Sequence, residues 1–312
     1  MLREGRSVSA LRAGLLIGVA IWSVGGWAPA PAAAAERMVL GELFTATWCT
    51  GCPTAGTALN GIINSYPDTL AVVEYHQSDP YSVTWGEDRG FFYNIWGVGI
   101  PWLTYDGLGR VWPIDTFEAA FLARQPVPTP VTLRVAAEQV SGLTYQITTR
   151  ACLEPDATAV TLRLYAVVVQ DYYPSTPNYS RNTFRIATDT VDVNLTPGEC
   201  VVDTRNVTLN SGWTYNNLRI IAWAQLPLSA GPAEVYQAAK YPAPFAGFEV
   251  TGDYDMDGDL DLDDAADFVT CLGGPDASPA ASVVCRTAFD FDDDGDVDLE
   301  DYAAFQVLFI GP

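Results

Sequence analysis

Apolar runs and alternating stretches divide this chain into segments of different character. Between residues 37 and 125, Val39–Thr45, Leu70–Tyr75 and Trp102–Tyr105 are strand-length runs, whereas Pro53–Asn64 and Ile114–Arg124 have helical spacing. Strand, helix and strand in that order predict an α/β unit. Residues 131–240 alternate with period two, as in Val131-Thr132-Leu133-Arg134-Val135, Val160-Thr161-Leu162-Arg163-Leu164 and Val191-Asp192-Val193-Asn194-Leu195. Together with Leu218–Trp223 they predict several strands and a β-sandwich domain. Two proline-rich segments, 126–130 and 241–247, sustain neither a helix nor a central strand and read as linkers. In the last piece, 248–312, helix-like runs at Ala265–Leu272 and Tyr302–Phe309 each follow an acidic stretch. The expected fold class is therefore multidomain α+β: an α/β domain, a β-sandwich domain and a small all-α module.

Residues 1–35 have the pattern of a secretory signal peptide. Arg3, Arg6 and Arg12 precede the apolar run Leu15–Trp22, and Ala33-Ala34-Ala35 supplies small residues for cleavage. That apolar run is shorter than the ~20 residues of a spanning helix. No apolar stretch of spanning length follows it, so the expectation is an exported chain without a membrane span after cleavage. Its destination would be the periplasm, the cell surface or the medium.

Charge changes the picture next. The chain carries 16 Lys+Arg against 38 Asp+Glu, a net −22. Residues 252–312 hold seventeen acidic groups against Arg286 alone. Such a field repels nucleic acid and anionic membranes, which excludes both as partners. At 49% hydrophobic and 12% aromatic, the composition still fills packed cores. A single histidine, His76, excludes multi-His metal sites.

The six cysteines suit an oxidising compartment and fall in three regions: Cys49/Cys52, Cys152/Cys200 and Cys271/Cys285. The four in the two wider pairs allow three connectivities, of which pairing within each region is the simplest, giving structural disulfides. The close pair is different. Trp48-Cys49-Thr50-Gly51-Cys52-Pro53 follows a predicted strand and opens a predicted helix. At a helix N-terminus, free N–H groups and the dipole favour thiolate over thiol, so Cys49 reads as a nucleophile and Cys52 as the more buried resolver. The same spacing is half of a zinc site, but no second Cys pair or Cys/His pair completes one.

Trp48-Cys49-x-x-Cys52, followed by Trp96-Gly97-Val98-Gly99-Ile100-Pro101-Trp102-Leu103, resembles the thioredoxin superfamily over residues 37–125. The resemblance implies a cis Pro101 facing the CxxC and a backbone at Ile100 that pairs with a protein disulfide or dithiol substrate. The segment Glu74–Tyr81 is similar to an outer-membrane-associated, thioredoxin-like branch, and His76, near the site, is a candidate proton carrier or substrate-binding residue. One departure stands out. Six residues before Cys49, where thioredoxin itself keeps a buried acid, this chain has Leu43, and Glu42 beside it points to the other face.

The acidic piece is an internal repeat. Asp253, Asp255, Asp257, Asp259, Asp261 and Asp264 recur as Asp290, Asp292, Asp294, Asp296, Asp298 and Asp301, with Gly258 and Gly295 at the sharp turn. This is the EF-hand pattern, two hard-oxygen loops for two Ca2+ ions, with Leu260 and Val297 placed to pack inward. The paired loop–helix units resemble a type I dockerin, which implies a cohesin-like or cell-surface partner. Leu262-Asp263 and Leu299-Glu300 depart from the small hydroxyl residues frequent at dockerin recognition positions.

The leading functional reading is an exported thiol–disulfide oxidoreductase with a calcium-binding attachment module. A non-enzymatic adhesion or scaffold-attached binding protein is the alternative. An accessory protein of polysaccharide breakdown ranks third, because no segment offers a carboxylate pair in a domain of glycosidase size.

Overall fold

A computed structural model describes residues 37–175, 180–243, 245, 252–254, 260, 262–275, 285, 288–291 and 296–309. The signal-peptide segment lies outside the described residues.

Strand β1 (Val39–Thr45) and strand β2 (Leu70–His76) are buried at every position and pair in parallel, with Leu43 opposite Glu74 and Thr45 opposite His76. Their near-continuous apolar character fits strands covered on both faces. Helix α1 (Cys52–Ser65) makes the crossover between them. Strand β3 (Trp102–Tyr105) runs antiparallel on the other side of β1, and β4 (Arg110–Val111) extends the edge. Helix α2 (Thr84–Phe92) precedes β3, and α3 (Phe117–Arg124) follows β4. Helices α1 and α3 cover one face of these strands through Ala55, Leu59, Ile62, Phe117 and Phe121, packed on Leu43, Val72 and Leu103.

The β-rich middle piece contains β5 (Val131–Ser141), β6 (Thr144–Leu153), β7 (Val160–Gln170), β8 (Thr183–Ala187), β9 (Val191–Leu195), β10 (Cys200–Thr208), β11 (Leu218–Gln225) and β12 (Val235–Pro242). Strands β10, β6 and β5 make a three-stranded antiparallel sheet. It packs on β7 and β11 through Leu133, Ile147, Leu164, Val168 and Ile220.

The other middle strands do not stay in a sandwich of their own. Strand β8 pairs with β2 in parallel at Glu74 and Thr183, so one nine-stranded sheet runs β12-β11-β7-β8-β2-β1-β3-β4, with β9 on β7. The sheet doubles over at that junction. Phe44, Val73 and Tyr75 from the first half then meet Tyr165, Val167, Val169, Ile221 and Trp223 from the second in a shared core. The reason is legible in β7: beyond the alternating Val160–Leu164, Tyr165-Ala166-Val167-Val168-Val169 is apolar at every position, and both of its faces need cover. In order, the layers are helices, the β1–β4 half-sheet, the half-sheet of β7, β8, β9, β11 and β12, and the β5–β6–β10 sheet. Burying Trp223 and Tyr75 completely contributes about 2–3 kcal/mol each by area alone.

The first proline-rich segment is fastened down rather than free. Arg37 Nε donates to the Val127 carbonyl at 2.8 Å, Val127 N–H donates to Arg124 O at 3.0 Å, and Thr129 is buried. At the C-terminal end, α4 (Leu262–Cys271) and α5 (Leu299–Leu308) pack around Phe268, Phe289, Val297 and Phe305, with Leu260 half-buried against them.

Candidate functional site: the Cys49–Cys52 pair and its surroundings

Chain direction places the pair. β1 ends at Thr45, residues 46–51 turn, and α1 begins at Cys52 with Pro53 in its first turn, where a missing N–H is tolerated. Gly51 occupies the N-cap without a side-chain acceptor; in the first turn Cys52 N–H donates to Cys49 O at 3.4 Å and Ala55 N–H to Gly51 O at 3.2 Å. Cys49 and Cys52 are joined in a disulfide. Cys52 is fully enclosed, whereas Cys49 retains 7% exposure, so Cys49 presents the more accessible sulfur.

The second motif arrives beside it. The Ile100–Pro101 peptide is cis, Ile100 packs against Cys49, Cys52 and Ala46, and a Cβ built on Gly51 would lie 3.3 Å from Pro101 Cδ. The structure thus brings Cys49, Cys52, Ile100 and Pro101 together. Around them Trp48, Trp96, Val98 and Trp112 are exposed, and Phe91 lies 6.5 Å from Trp96. Arg110 connects part of this rim: its Nη2 donates to Pro101 O at 2.8 Å while the guanidinium sits 4.5 Å over Trp112. Burial lowers the Arg110 pKa from its ordinary value. No motif marked Arg110; only the β3–β4 pairing carries it to Pro101.

His76 stands behind this surface. It is 5% exposed, and its Nδ1–H donates to Asp79 Oδ2 at 2.7 Å, the carboxylate being an acceptor only. Asp79 also accepts from Thr47 N–H at 2.8 Å and from Tyr81 N–H at 2.9 Å, and Trp48 Nε1 donates to Ser78 O at 3.1 Å. Burial alone would raise the Asp79 pKa, but these donors outweigh it and hold the carboxyl below its usual range. His76 therefore helps to brace the loop that presents Trp48 and Cys49.

Two buried carboxylates flank the site differently. Glu42 is bound by Arg89 through a bidentate pair at 2.7 and 2.9 Å and accepts from Tyr93 OH at 2.6 Å, on the face away from α1. That pair is committed to the core, where Arg89 also lies over Trp223 and Tyr165. Glu74 occupies the opposite situation. It lies beside Leu43 in the β1–β2 ladder, shares the α1-facing side with Leu70 and Val72, and its Oε1 is buried with no partner among the described residues. Burial pushes its pKa well above the ordinary value, with a backbone hydrogen bond from Arg181 opposing. Sequence reading passed over Glu74 as a site residue, because its significance comes from the cross-strand neighbour.

The acidic repeat is only partly within view. Asp255, Asp257, Asp259, Asp261, Asp292 and Asp294 lie outside the described residues. The described ends of the two loops are alike: Asp264 Oδ1 accepts from Tyr254 N–H at 2.6 Å, and Asp301 Oδ1 accepts from Phe291 N–H at 2.7 Å. Each last-position carboxylate is buried and folds its loop back on the second residue. Asp298 caps α5, with Asp301 reciprocating on the Asp298 N–H at 2.8 Å. Asp296, Asp298 and Asp301 offer oxygens within 4.8 Å of one another, an all-oxygen donor set that fits a hard divalent cation. Disulfides join Cys152 to Cys200, across β6 and β10, and Cys271 to Cys285.

No family model and no curated protein matches the chain. Solved structures do. Over 68% of its length the chain shares the fold of HBP35 of Porphyromonas gingivalis. That likeness has a TM-score of 0.57 at 15% identity and spans 77% of HBP35. A protein of Agrobacterium tumefaciens matches 67% of this chain and 96% of its own at TM-score 0.46 and 17% identity. A domain of the outer membrane lipoprotein Omp28 from Porphyromonas gingivalis matches 36% of this chain and 88% of its own at TM-score 0.28 and 13% identity.

Proposed function

We propose that this protein is an exported, thioredoxin-like thiol–disulfide exchange protein acting on polypeptides, with a calcium-binding, dockerin-like C-terminal module. The observation that carries the reading is the Cys49–Cys52 disulfide at the start of α1, with Cys49 the more accessible sulfur and Ile100–Pro101 packed against the pair. The fold shared with HBP35 and the three disulfides support a thioredoxin-like protein of an oxidising compartment. Among the described residues no helix is long and apolar enough to cross a membrane.

The chemistry is exchange between sulfurs. A substrate thiolate attacks Cys49 Sγ, the new S–S bond forms, and the Cys52 sulfur leaves as thiolate. A second substrate thiolate then attacks the substrate sulfur of the mixed disulfide, releasing Cys49 as thiolate, so the substrate is oxidised by two electrons and the pair is reduced. The reverse sequence reduces a substrate disulfide, and the relative potentials of the two couples set the direction. The N-terminus of α1 favours each departing thiolate. The exposed Trp48, Trp96 and Val98 suit the apolar flanks of an unfolded or extended substrate segment.

Calcium would be held in the second loop by Asp296, Asp298 and Asp301 together with the remaining acidic positions of the repeat, and it would supply charge neutralisation that lets those carboxylates converge. A cohesin-like or cell-surface partner is the attachment this module would serve.

The deciding experiment is turnover of insulin disulfides by dithiothreitol. Wild-type protein accelerates precipitation of the insulin B chain, and Cys49→Ser abolishes the acceleration. Equal rates for the two proteins and for buffer alone would replace the redox reading with a binding one.

A further inference from the structure

The disulfide lies beyond the C-terminal end of β1. At the opposite end of the doubled sheet, where β2 begins at Leu70, a cavity of about 430 Å3 opens between α1, β2, β11 and β12. Its size falls in the range of small-molecule sites. Its lining is partly apolar, with Ile63, Leu70, Ile221 and Pro242, and partly polar, with Arg181, Arg219 and Lys240 beside Asn64 and Asn182. Three cations lining one cavity are unexpected in a chain of net charge −22.

Their existing partners leave donors over. Asp171 binds Arg181 through both oxygens, at 2.5 and 3.0 Å, and also accepts from Arg219 Nη1 at 2.8 Å, so one carboxylate serves two guanidinium groups. Arg219 Nη1 additionally donates to Asn182 Oδ1 at 2.9 Å, and its Nη2 makes no hydrogen bond among the described residues. Lys240 forms no ion pair within 4 Å among the described residues, and its Nζ donates to the Leu70 carbonyl at 3.3 Å. An ammonium has three donors, so at least two remain. Burial lowers the Lys240 pKa; the Asp68 charge opposes it, and the neighbouring Arg219 charge adds a smaller lowering. Three cations with Asp171 and Asp68 as their opposing charges therefore leave surplus positive charge in a partly desolvated place, where an incoming anion gains more than it would at the open surface.

We propose that this cavity binds a small organic anion, a carboxylate attached to an apolar body, with the carboxylate between Lys240 and Arg219 and the body against Leu70 and Ile221. The site lies at the other end of β2 from the disulfide and does not depend on the redox reading.

Three probes with one apolar body and different heads test it: octanoate, octanol and octylammonium, titrated calorimetrically into the full chain at pH 7. Octanoate binds one per chain, at least tenfold tighter than the other two. Lys240→Met, which keeps the apolar stem, weakens octanoate binding at least tenfold. Lys240 also borders a second cavity, beside Arg134 and Glu154, so Arg219→Gln assigns the location: of these two cavities Arg219 lines the proposed one alone, and its substitution weakens octanoate binding as well. Should Lys240→Met fail to fold, Arg219→Gln and the comparison of heads on wild-type protein still decide. Cys49→Ser leaves octanoate binding unchanged. Equal affinities for the three heads, absence of binding at millimolar octanoate, or an affinity indifferent to Arg219→Gln would overturn the proposal.

Discussion

Glu74 is a residue whose environment makes a prediction with a sign. Its carboxyl is enclosed, one oxygen is without a partner among the described residues, and burial raises its pKa well above the ordinary value. A group with a raised folded-state pKa contributes stability that is fully present below its unfolded value, about 4.3, and is lost as pH rises through the folded value. Glu74→Gln removes that loss. The variant is expected to melt at least about 3 °C above wild type at pH 8, with the difference closing toward pH 4. Scanning calorimetry across that range checks it, and an equal offset at both pH values would contradict the assignment. Glu42 is the contrasting residue. Arg89, Tyr93 and Tyr75 satisfy its oxygens, so breaking the pair leaves a buried Arg89 uncompensated, and Glu42→Ala should cost about 3–5 kcal/mol by urea denaturation.

Elements decide whether the first 130 residues are a unit. In β1 and β2 the residues facing α1 have their cover within the same segment, whereas Leu40, Phe44, Ala71, Val73 and Tyr75 face β7, β11 and β12. A chain truncated to residues 37–130 would expose that second face to water. It is expected to show no cooperative thermal transition by circular dichroism and to bind a hydrophobic dye, while residues 37–243 melt in one transition. Two transitions in the longer chain would mean that the halves fold independently. The C-terminal helices depend on a different cover. Their core is small, built on Phe268, Phe289 and Phe305, and the Cys271–Cys285 bridge restricts a short loop, worth roughly 3 kcal/mol in the loop-entropy picture.

At the scale of the whole molecule, the distribution of charge makes the next prediction. Residues 252–312 carry most of the net negative charge, and convergence of Asp296, Asp298 and Asp301 without a cation opposes folding of that end. Millimolar calcium is expected to raise the melting temperature of the C-terminal transition in the full chain, with about 2.7 kcal/mol per site at a hundredfold excess over Kd. Calorimetric titration should find two ions in wild type and about one in Asp296→Ala. A melting profile indifferent to both calcium and EDTA would leave only a solvated acidic end.

Short-range patterns determined a good deal. Val39–Thr45, Trp102–Tyr105 and Val191–Leu195 emerge as strands with the bounds their apolar runs predict, and α1 starts where Cys52-Pro53 opens the helical spacing. These elements are legible because local periodicity and backbone chemistry agree at each of them. The helix Thr84–Phe92 was not legible: its buried positions are Gly86, Arg89 and Gly90 while Phe91 is exposed, so no apolar stripe marks it, and Arg89 reads as a surface charge until Glu42 is placed beside it. The pairing of β8 with β2 was equally hidden, because register between distant strands depends on which faces remain uncovered after local folding. By itself the sequence determined the Cys49–Cys52 spacing, the repeated acidic loops and the charge. Only tertiary structure decided that Pro101 abuts Gly51, that Glu74 replaces Leu43's side of the ladder with a carboxyl, and that three cations meet at one cavity. Each of these joins residues far apart in the chain: strand pairing and the α1 crossover bring the first two together, and the burial of a second face that no local pattern specifies brings the third.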